Sequence, residues 1–238
     1  MSKIIDGHIH VTQELLSHLR GVRCIANADC PEEYRALKDA ALPGMTVSAG
    51  IHPWKADRTP WEEMRPVLER AEVIGEIGLD SVWCSVDLDR QRQVFRRQLD
   101  LAARKGKPVI LHTKGMEREI LETIRLYPNR YLVHWYACEN WLEEYIDLGC
   151  WFTVGPDVEK EPVVARLAKT VPADRLLLES DGVEGIAWGR DLPLGPEDYR
   201  EAMESHLAAV AALRGCSPGE LAQQTEENMD AFLRGCLV

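Results

Sequence analysis

The sequence predicts a (β/α)8 barrel folded as a single domain over residues 1–238. Short apolar runs alternate eight times with amphipathic segments, and most of the histidines follow these runs. The length is also close to the ~250 residues typical of this fold. Strands that are buried on both faces are continuously apolar, as these runs are. An open, doubly wound sheet is the alternative, but no G-x-G-x-x-G follows the first strand.

The predicted strands are the eight apolar runs, several of which end in a histidine or a carboxylate. They lie at residues 4–10, 22–27, 46–51, 73–80, 108–112, 131–134, 151–154 and 176–181. No linker, low-complexity tract or internal repeat separates them, which favours one domain.

Apolar residues at helical spacing predict a helix after most of the strands. The helices are expected at residues 31–42, 61–69, 89–105, 116–127, 141–148 and 162–169, with two closing helices at 197–213 and 218–234. Residues 12–19 are short and mixed and predict a weak helix. Pro31 suits a first helical turn, and Gly106 is a typical residue to end a helix.

Composition excludes several classes of protein. A net charge of −11 argues against sequence-blind adhesion to nucleic acid or to anionic membranes, although an anionic substrate at one site is still compatible with it. Seven scattered cysteines without a C-x-x-C pair indicate reduced thiols. No signal-like segment opens the chain, and no apolar run approaches the ~20 residues of a membrane span. We therefore expect a cytoplasmic protein without a membrane partner.

The first strand carries a polar pattern that suggests a metal site. Side chains alternate between the two faces of a strand, so Asp6, His8 and His10 are expected to point the same way. Two imidazoles that leave one face side by side can bind a single ion. A half-buried edge strand with exposed histidines is the alternative.

The residues at the other strand ends favour the metal site over an edge strand with exposed histidines. In a (β/α)8 barrel the carboxyl ends of the strands form one rim, which carries the active site. The side chains expected at this rim are His8, His10, His52, Glu76, His112, His134 and Asp181. Five of the seven histidines are in this set, and chance would not be expected to gather them there.

Four imidazoles with two carboxylates exceed the four positions of one zinc ion. They suit two divalent ions, zinc, manganese or magnesium, that share Glu76 as a bridge. Two such ions can hold a hydroxide between them and polarise the bond under attack. Asp181 is then expected to serve as a ligand and to accept the proton of the nucleophile, and Glu76 is counted with it as catalytic. Asp6 is expected to orient a ligand by hydrogen bonding.

Several motifs together resemble the TatD-related metal-dependent hydrolases. They are D-G-H-I-H at 6–10, G-I-H-P at 50–53, G-E-I-G-L-D at 75–80, R-Q-x-F-x-x-Q-L-x-L-A at 92–102, P-V-I-L-H at 108–112, L-L-L-E-S-D at 176–181 and T-E-E-N-M at 225–229. The resemblance implies a TIM barrel, a binuclear metal site and hydrolysis, often of phosphodiester bonds in DNA. It also implies one ion held by His8, His10, Glu76 and Asp181, and the other by Glu76, His112 and His134.

The departures from the family pattern surround this site. Lys114 stands where the family usually has Arg, Trp135 follows the strand-six histidine in place of Cys, and Gly182 follows Asp181 in place of Ala. These changes leave the six ligand positions intact and alter what lies around them. We expect His52, Lys114 and Trp135 to contact the substrate.

Four tryptophans follow strands at the rim, namely Trp54, Trp83, Trp135 and Trp188. They are expected to ring the mouth, either to pack loops against the barrel or to stack on a nucleic-acid base.

Three functions compete. The leading hypothesis is hydrolysis of a phosphoester, in a small molecule or in single-stranded nucleic acid, without an obligate protein partner. Hydrolysis of a C–N or lactone bond at the same site is the alternative. A metal-binding scaffold without turnover is the third, although a structural zinc site is normally closed by four ligands.

Overall fold

The protein is described here by a computed structural model that covers residues 3–234. Eight parallel strands form one sheet whose spatial order is the order of the sequence. The strands are β1 Ile5–His10, β2 Arg23–Ala28, β3 Met45–Ala49, β4 Val73–Asp80, β5 Val109–Lys114, β6 Tyr131–Val133, β7 Trp151–Val154 and β8 Leu176–Leu178. The predicted barrel is confirmed.

Within the described residues, helices follow the strands and pack outside them. They are α1 Pro31–Ala40, α2 Trp61–Arg70, α3 Leu88–Lys105, α4 Glu117–Ile124, α5 Leu142–Asp147, α6 Pro162–Thr170, α7 Gly182–Arg190, α8 Tyr199–Arg214 and α9 Pro218–Leu233. Gly106 ends α3 in the left-handed conformation, with φ of 64°, as its position predicted. Pro31 lies in the first turn of α1.

Two local predictions were wrong. Residues 12–19 form only a short 3₁₀ helix, Leu15–His18, because this segment buries only Leu15 and Leu19 in the core. The helix α7 was not expected. Its three glycines have low helix propensity and interrupt the apolar spacing from which helices are predicted.

The last strand is also shorter than predicted. It ends at Leu178, and residues 179–181 leave the ladder before α7 begins. Asp181 precedes α7 in the left-handed conformation, with φ of 55°. Its amide donates to the carbonyl oxygen of His8 over 3.1 Å, so its backbone lies beside β1.

A buried polar network joins β1 to the turn after β8. One carboxylate oxygen of Asp6 accepts from the amide of Ser180 over 3.0 Å. The other accepts from the hydroxyl groups of Ser180 (2.6 Å) and of Tyr199 on α8 (2.8 Å). These bonds connect the first and last strands where the barrel closes.

The amino-terminal end of the barrel is closed by α9. Met229 and Phe232 on this helix pack against a layer of buried strand residues. That layer consists of Ile5, Ile25, Val73, Ile110, Leu132, Trp151 and Leu177. Apolar packing thus fills this end of the barrel, and the polar side chains collect at the other end. No helix in residues 3–234 is long and apolar enough to cross a membrane.

His206 on α8 is a buried titratable group that is not among the predicted site residues. Its Nε2 lies 2.9 Å from the carbonyl oxygen of Val154, and burial lowers the pKa of the ring to about 4 from an ordinary 6.5. Between these two pH values the unfolded chain takes up a proton that the folded chain does not. Stability from this group is therefore complete above pH 6.5 and is lost as the pH falls toward 4.

We predict that the free energy of unfolding falls by about 2 kcal/mol more in the wild type than in His206→Gln between pH 7.5 and pH 5. Gln keeps a donor for Val154 but does not titrate. Urea unfolding of both proteins in EDTA at the two pH values measures the difference. Parallel losses of stability in the two proteins would show that His206 is not the group responsible.

Candidate metal centre

The predicted rim side chains converge on the carboxylate of Glu76, which is almost completely buried on β4. Each of its two oxygens faces a different set of imidazoles. Oε2 lies 3.3 Å from His8 Nε2 and 3.5 Å from His10 Nε2. Oε1 lies 2.6 Å from His112 Nδ1, 3.4 Å from His52 Nε2 and 3.5 Å from His134 Nε2. Five imidazoles therefore surround one carboxylate.

The His8 cluster consists of His8, His10, Asp181 and Oε2 of Glu76. Oδ1 of Asp181 lies 3.5 Å from His8 Nε2 and 3.6 Å from His10 Nε2. In a tetrahedral site two ligand atoms lie about 1.6 bond lengths apart, or about 3.4 Å for zinc bound to nitrogen and oxygen at about 2.1 Å. The four distances between these imidazoles and carboxylates, 3.3–3.6 Å, are close to the spacing that one such ion requires.

Three atoms of this cluster are buried without a hydrogen-bond partner among the described residues, namely His8 Nδ1, His8 Nε2 and Asp181 Oδ1. Of these, Nε2 and Oδ1 lie 3.5 Å apart. Leaving a buried polar atom without a partner costs about 1–3 kcal/mol. Because both atoms face the same point between the histidines and Glu76, a bound cation would satisfy them together. The donor set therefore fits a divalent metal ion.

The His112 cluster consists of His112, His52, His134 and Oε1 of Glu76. His52 Nε2 and His112 Nδ1 are 3.3 Å apart, and both lie near Oε1. His134 lies between the two clusters, because one of its ring nitrogens is also within 4.8 Å of donor atoms from His8 and Asp181. His52, Glu76 and His112 form a compact group of donor atoms, whereas His134 groups with His8 and Asp181, so the second predicted ligand set stays a prediction.

Two carboxylates that the sequence left without a role fix these rings. Asp80 Oδ2 lies 3.1 Å from His112 Nε2, and Glu179 Oε2 lies 2.9 Å from His134 Nδ1. Each carboxylate holds the nitrogen that faces away from Glu76, which is how carboxylates orient metal-binding histidines. Both residues lie inside the quoted motifs, at 75–80 and 176–181, but nothing in their spacing shows which side chains they contact.

Asp80 also organises the loop after β4. Its Oδ1 accepts from the amides of Val82 and Trp83, each over 2.8 Å, and Oδ2 accepts from Trp54 Nε1 over 2.6 Å. Burial alone would raise the pKa of this carboxyl, but hydrogen bonds from His112, Trp54 and the loop amides hold the pKa well below its usual range. Asp80 is therefore ionised, and both of its carboxylate oxygens accept hydrogen bonds.

His52 is held as a hydrogen-bond donor. Its Nδ1 accepts from the amide of Trp54 over 3.2 Å, and burial lowers the pKa of the ring. We infer from this hydrogen bond that the neutral ring carries its proton on Nε2, toward Glu76 and His112. Its distances alone would also allow His52 to bind an ion. A donor at this position agrees with the predicted contact to substrate, which remains a prediction.

The ionisation of the cluster follows from its packing. Burial opposes the charge on Glu76, yet His134, His52 and His112 hold the pKa of this carboxyl well below its usual range. Burial likewise opposes the charge on Asp181, and the neighbouring histidines lower its pKa. Both carboxylates are thus anionic and available to a cation.

Asp6 was predicted to orient a metal ligand by hydrogen bonding, and this prediction was wrong. The β1–β2 register shifts between Asp6 and Ile9, so Asp6 does not share a face with His8 and His10. Its carboxylate contacts Ser180, Tyr199 and the backbone amide of His8, and none of its hydrogen bonds within the described residues reaches a ligand ring. Asp6 holds the backbone around the ligands instead of orienting a ligand side chain.

The remaining predicted site residues lie around the mouth. Lys114 ends β5, with its Nζ 4.1 Å from the centre of the Trp83 ring. The ring of Trp135 is 6.2 Å from that of His134. Trp54 contacts Asp80 and lies 5.0 Å from the ring of His52. The tryptophans are therefore gathered at the rim, although not as an even ring.

The chain matches the family model described as TatD related DNase over residues 5–234. It is 30% identical to the 3′-5′ ssDNA/RNA exonuclease TatD of Erwinia tasmaniensis, over 76% of this chain and 75% of that protein. It is 26% identical to YcfH of Escherichia coli K12, described as an uncharacterized metal-dependent hydrolase, over 86% of this chain and 80% of that protein.

Solved structures share the fold. YjjV, a TatD homologue from E. coli K12, superposes with a TM-score of 0.82 at 23% identity, over 97% of this chain and 98% of that one. The L-hydantoinase of Arthrobacter aurescens gives 0.64 at 15% identity, over 98% and 71% of the two chains, and this likeness concerns the barrel alone. The match to the family model spans nearly the whole described chain. The chain therefore belongs to the TatD-related DNase family, and it is a metal-dependent hydrolase.

Proposed function

We propose that the chain uses two divalent metal ions to hydrolyse phosphodiester bonds in single-stranded nucleic acid. The observation that carries the proposal is the Glu76 carboxylate, with one oxygen in the His8 cluster and the other in the His112 cluster. Relatives named as single-strand DNA and RNA exonucleases support the choice of substrate. We also propose that the chain works in the cytoplasm, because the cysteines within residues 3–234 are free thiols.

In this proposal His8, His10 and Asp181 would hold one ion, His112 and His134 would hold the other, and Glu76 would contribute to both. Such ions lower the pKa of water and polarise the phosphoester oxygens. Imidazole-rich sites suit zinc or manganese better than magnesium, which prefers oxygen ligands.

The chain's own groups complete the chemistry. The histidines lower the pKa of Asp181, so at neutral pH its carboxylate can accept a proton from an attacking water. The side chain of Asp181 is 25% exposed and is therefore reached from the mouth. His52 would donate from Nε2 to a substrate oxygen, and Lys114 would offset the phosphate charge.

The competing functions have weaker support. Hydrolysis of a C–N or lactone bond is supported only by the fold that the chain shares with hydantoinases. A metal-binding scaffold without turnover is disfavoured, because the relatives of this chain are named as nucleases and metal-dependent hydrolases. An assay panel of oligonucleotide, amide and lactone substrates with zinc or manganese discriminates among them. Hydrolysis of the oligonucleotide alone is the expected result, and turnover of the amide or the lactone alone would overturn the proposal.

Replacing Asp181 tests the proposed base. Asp181→Asn keeps an oxygen that can touch a cation but cannot take a proton at neutral pH. We expect kcat on a single-stranded oligonucleotide to fall by about 10²–10⁴-fold, the range for one general acid or base. At least one ion should remain in the protein, measured by elemental analysis of the same preparation.

The matched control is Asp191→Asn. Asp191 is exposed, has φ of 56° and ends the same helix, α7, at the opposite end from Asp181. It should leave kcat unchanged. An Asp181→Asn protein with full metal content and near-normal turnover would remove Asp181 from the mechanism.

The Asp80→Asn variant tests whether Asp80 supports the binding of only one of the two ions. Because Asp80 holds His112 and no residue of the His8 cluster, only one of two metal-binding steps should weaken, by about 10–100-fold. Titration against a fluorescent chelator resolves the two steps.

Asp157→Asn provides the control, because Asp157 accepts from Trp135 Nε1 much as Asp80 accepts from Trp54 Nε1. It should shift neither step. Equal weakening of both steps in Asp80→Asn, or of neither, would contradict the assignment of Asp80 to one ion.

A further inference from the structure

Three of the rim tryptophans form a continuous surface, which we call the tryptophan wall. The Trp83 and Trp188 ring centres lie 5.9 Å apart, and those of Trp188 and Trp135 lie 5.5 Å apart, in edge-to-face contacts. These residues come from the loop after β4, from α7 and from the loop after β6. Segments that are distant in sequence thus build one aromatic surface at the mouth.

Trp135 is the fixed end of the wall. Its Nε1 donates to the buried Asp157 over 2.9 Å, and its amide donates to Thr153 Oγ1 over 3.1 Å. A Cβ at Gly155 would lie only 2.3 Å from the indole nitrogen, and one at Gly189 would lie 3.3 Å from the ring. Trp135 therefore occupies a slot that only glycine leaves open.

Trp83 and Trp188 are not explained by packing. Trp83 is 52% exposed and Trp188 is 64% exposed, whereas Trp135 is half-buried. Placing two large aromatic side chains in water beside an active site is typical of a binding surface. Packing of loops accounts for Trp135 but leaves the other two rings without a structural purpose.

The wall begins at the metal centre. Trp135 follows His134 in sequence, and the amide of Trp83 donates to Asp80, which also holds His112. Lys114 Nζ lies 4.1 Å from the centre of the Trp83 ring. Lys114 ends β5, the strand that also carries His112, so its charge lies beside the wall and near the His112 cluster. The aromatic surface suits the base of a nucleotide, and the cation and the candidate metal centre suit its phosphate.

We infer that the exposed faces of Trp83 and Trp188 bind an unpaired nucleobase of the substrate. This inference rests on the proposed function and narrows it, because a base in a duplex has both faces covered by its neighbours. Trp83 and Trp188 contact the base, Lys114 lies beside the adjoining phosphate, and Trp135 is a positioning residue that acts through Trp188.

The first test uses metal-free protein in EDTA, so it does not depend on turnover. Wild type should bind a fluorescent oligothymidylate about 10-fold more tightly than an abasic oligomer of the same length and charge, a ratio within the range for stacking one base. Trp83→Ala with Trp188→Ala should abolish this preference. Trp61→Ala is the control, because no ring contact among the described residues joins Trp61 on α2 to the wall, and it should retain the preference.

The second test separates positioning from folding. Trp135→Phe keeps an aromatic ring but loses the bond to Asp157, so the KM for the thymidylate substrate should rise several-fold while the KM for the abasic substrate and both kcat values stay unchanged. Equal losses on both substrates, with a lower Tm, would assign Trp135 to folding alone and overturn its positioning role.

The outcomes for the wall and for the proposed function are distinct. If no phosphodiester is hydrolysed by metal-loaded wild type, the proposed function fails whatever the wall binds. If thymidylate and abasic oligomers are cleaved and bound equally well, or if the double variant retains the preference, the wall does not bind a base. If the wall instead binds a protein partner, thymidylate and abasic oligomers will be bound and cleaved equally well.

Discussion

The arrangement at the mouth depends on one buried carboxylate. Glu76 lies in the middle of five imidazoles, with each oxygen facing a different cluster. A buried charge is unfavourable unless it is paired and hydrogen-bonded, and a single group of histidines could satisfy only one side of it. The parallel barrel solves this by bringing strand ends from all sides to one rim. The two clusters therefore follow from where Glu76 stands on β4.

A second layer of carboxylates keeps the histidines in place. Asp80 and Glu179 each hold the far nitrogen of a ring, and Asp6 holds the backbone of β1 against the turn after β8. The loop that Asp80 organises also carries Trp83. The geometry of the metal centre and the position of the tryptophan wall are thus connected through one side chain.

Much of this could be predicted because strand ends follow from simple patterns. Buried parallel strands are continuous apolar runs, so the alternation located all eight strands, and polar residues at their carboxyl ends necessarily share a rim. What failed depended on irregular backbone. The register shift in β1 turns Asp6 away from His8, and the left-handed Asp181 with glycine-rich α7 has no periodic signal.

The supporting contacts were beyond prediction for a different reason. Asp80 and Glu179 find their histidines on neighbouring or distant strands, and only distances in the folded chain show which rings they hold. The same is true of the wall: four tryptophans were expected around the mouth, but three join and Trp54 lies apart on Asp80.

The central claim is that Glu76 is shared between two metal ions. Anomalous diffraction from crystals grown with Mn²⁺ tests it directly. The account predicts two manganese peaks in each chain, each within about 2.3 Å of a different Glu76 oxygen, with one peak beside His8 and the other beside His112. A single peak, or two peaks of which only one contacts Glu76, would contradict it.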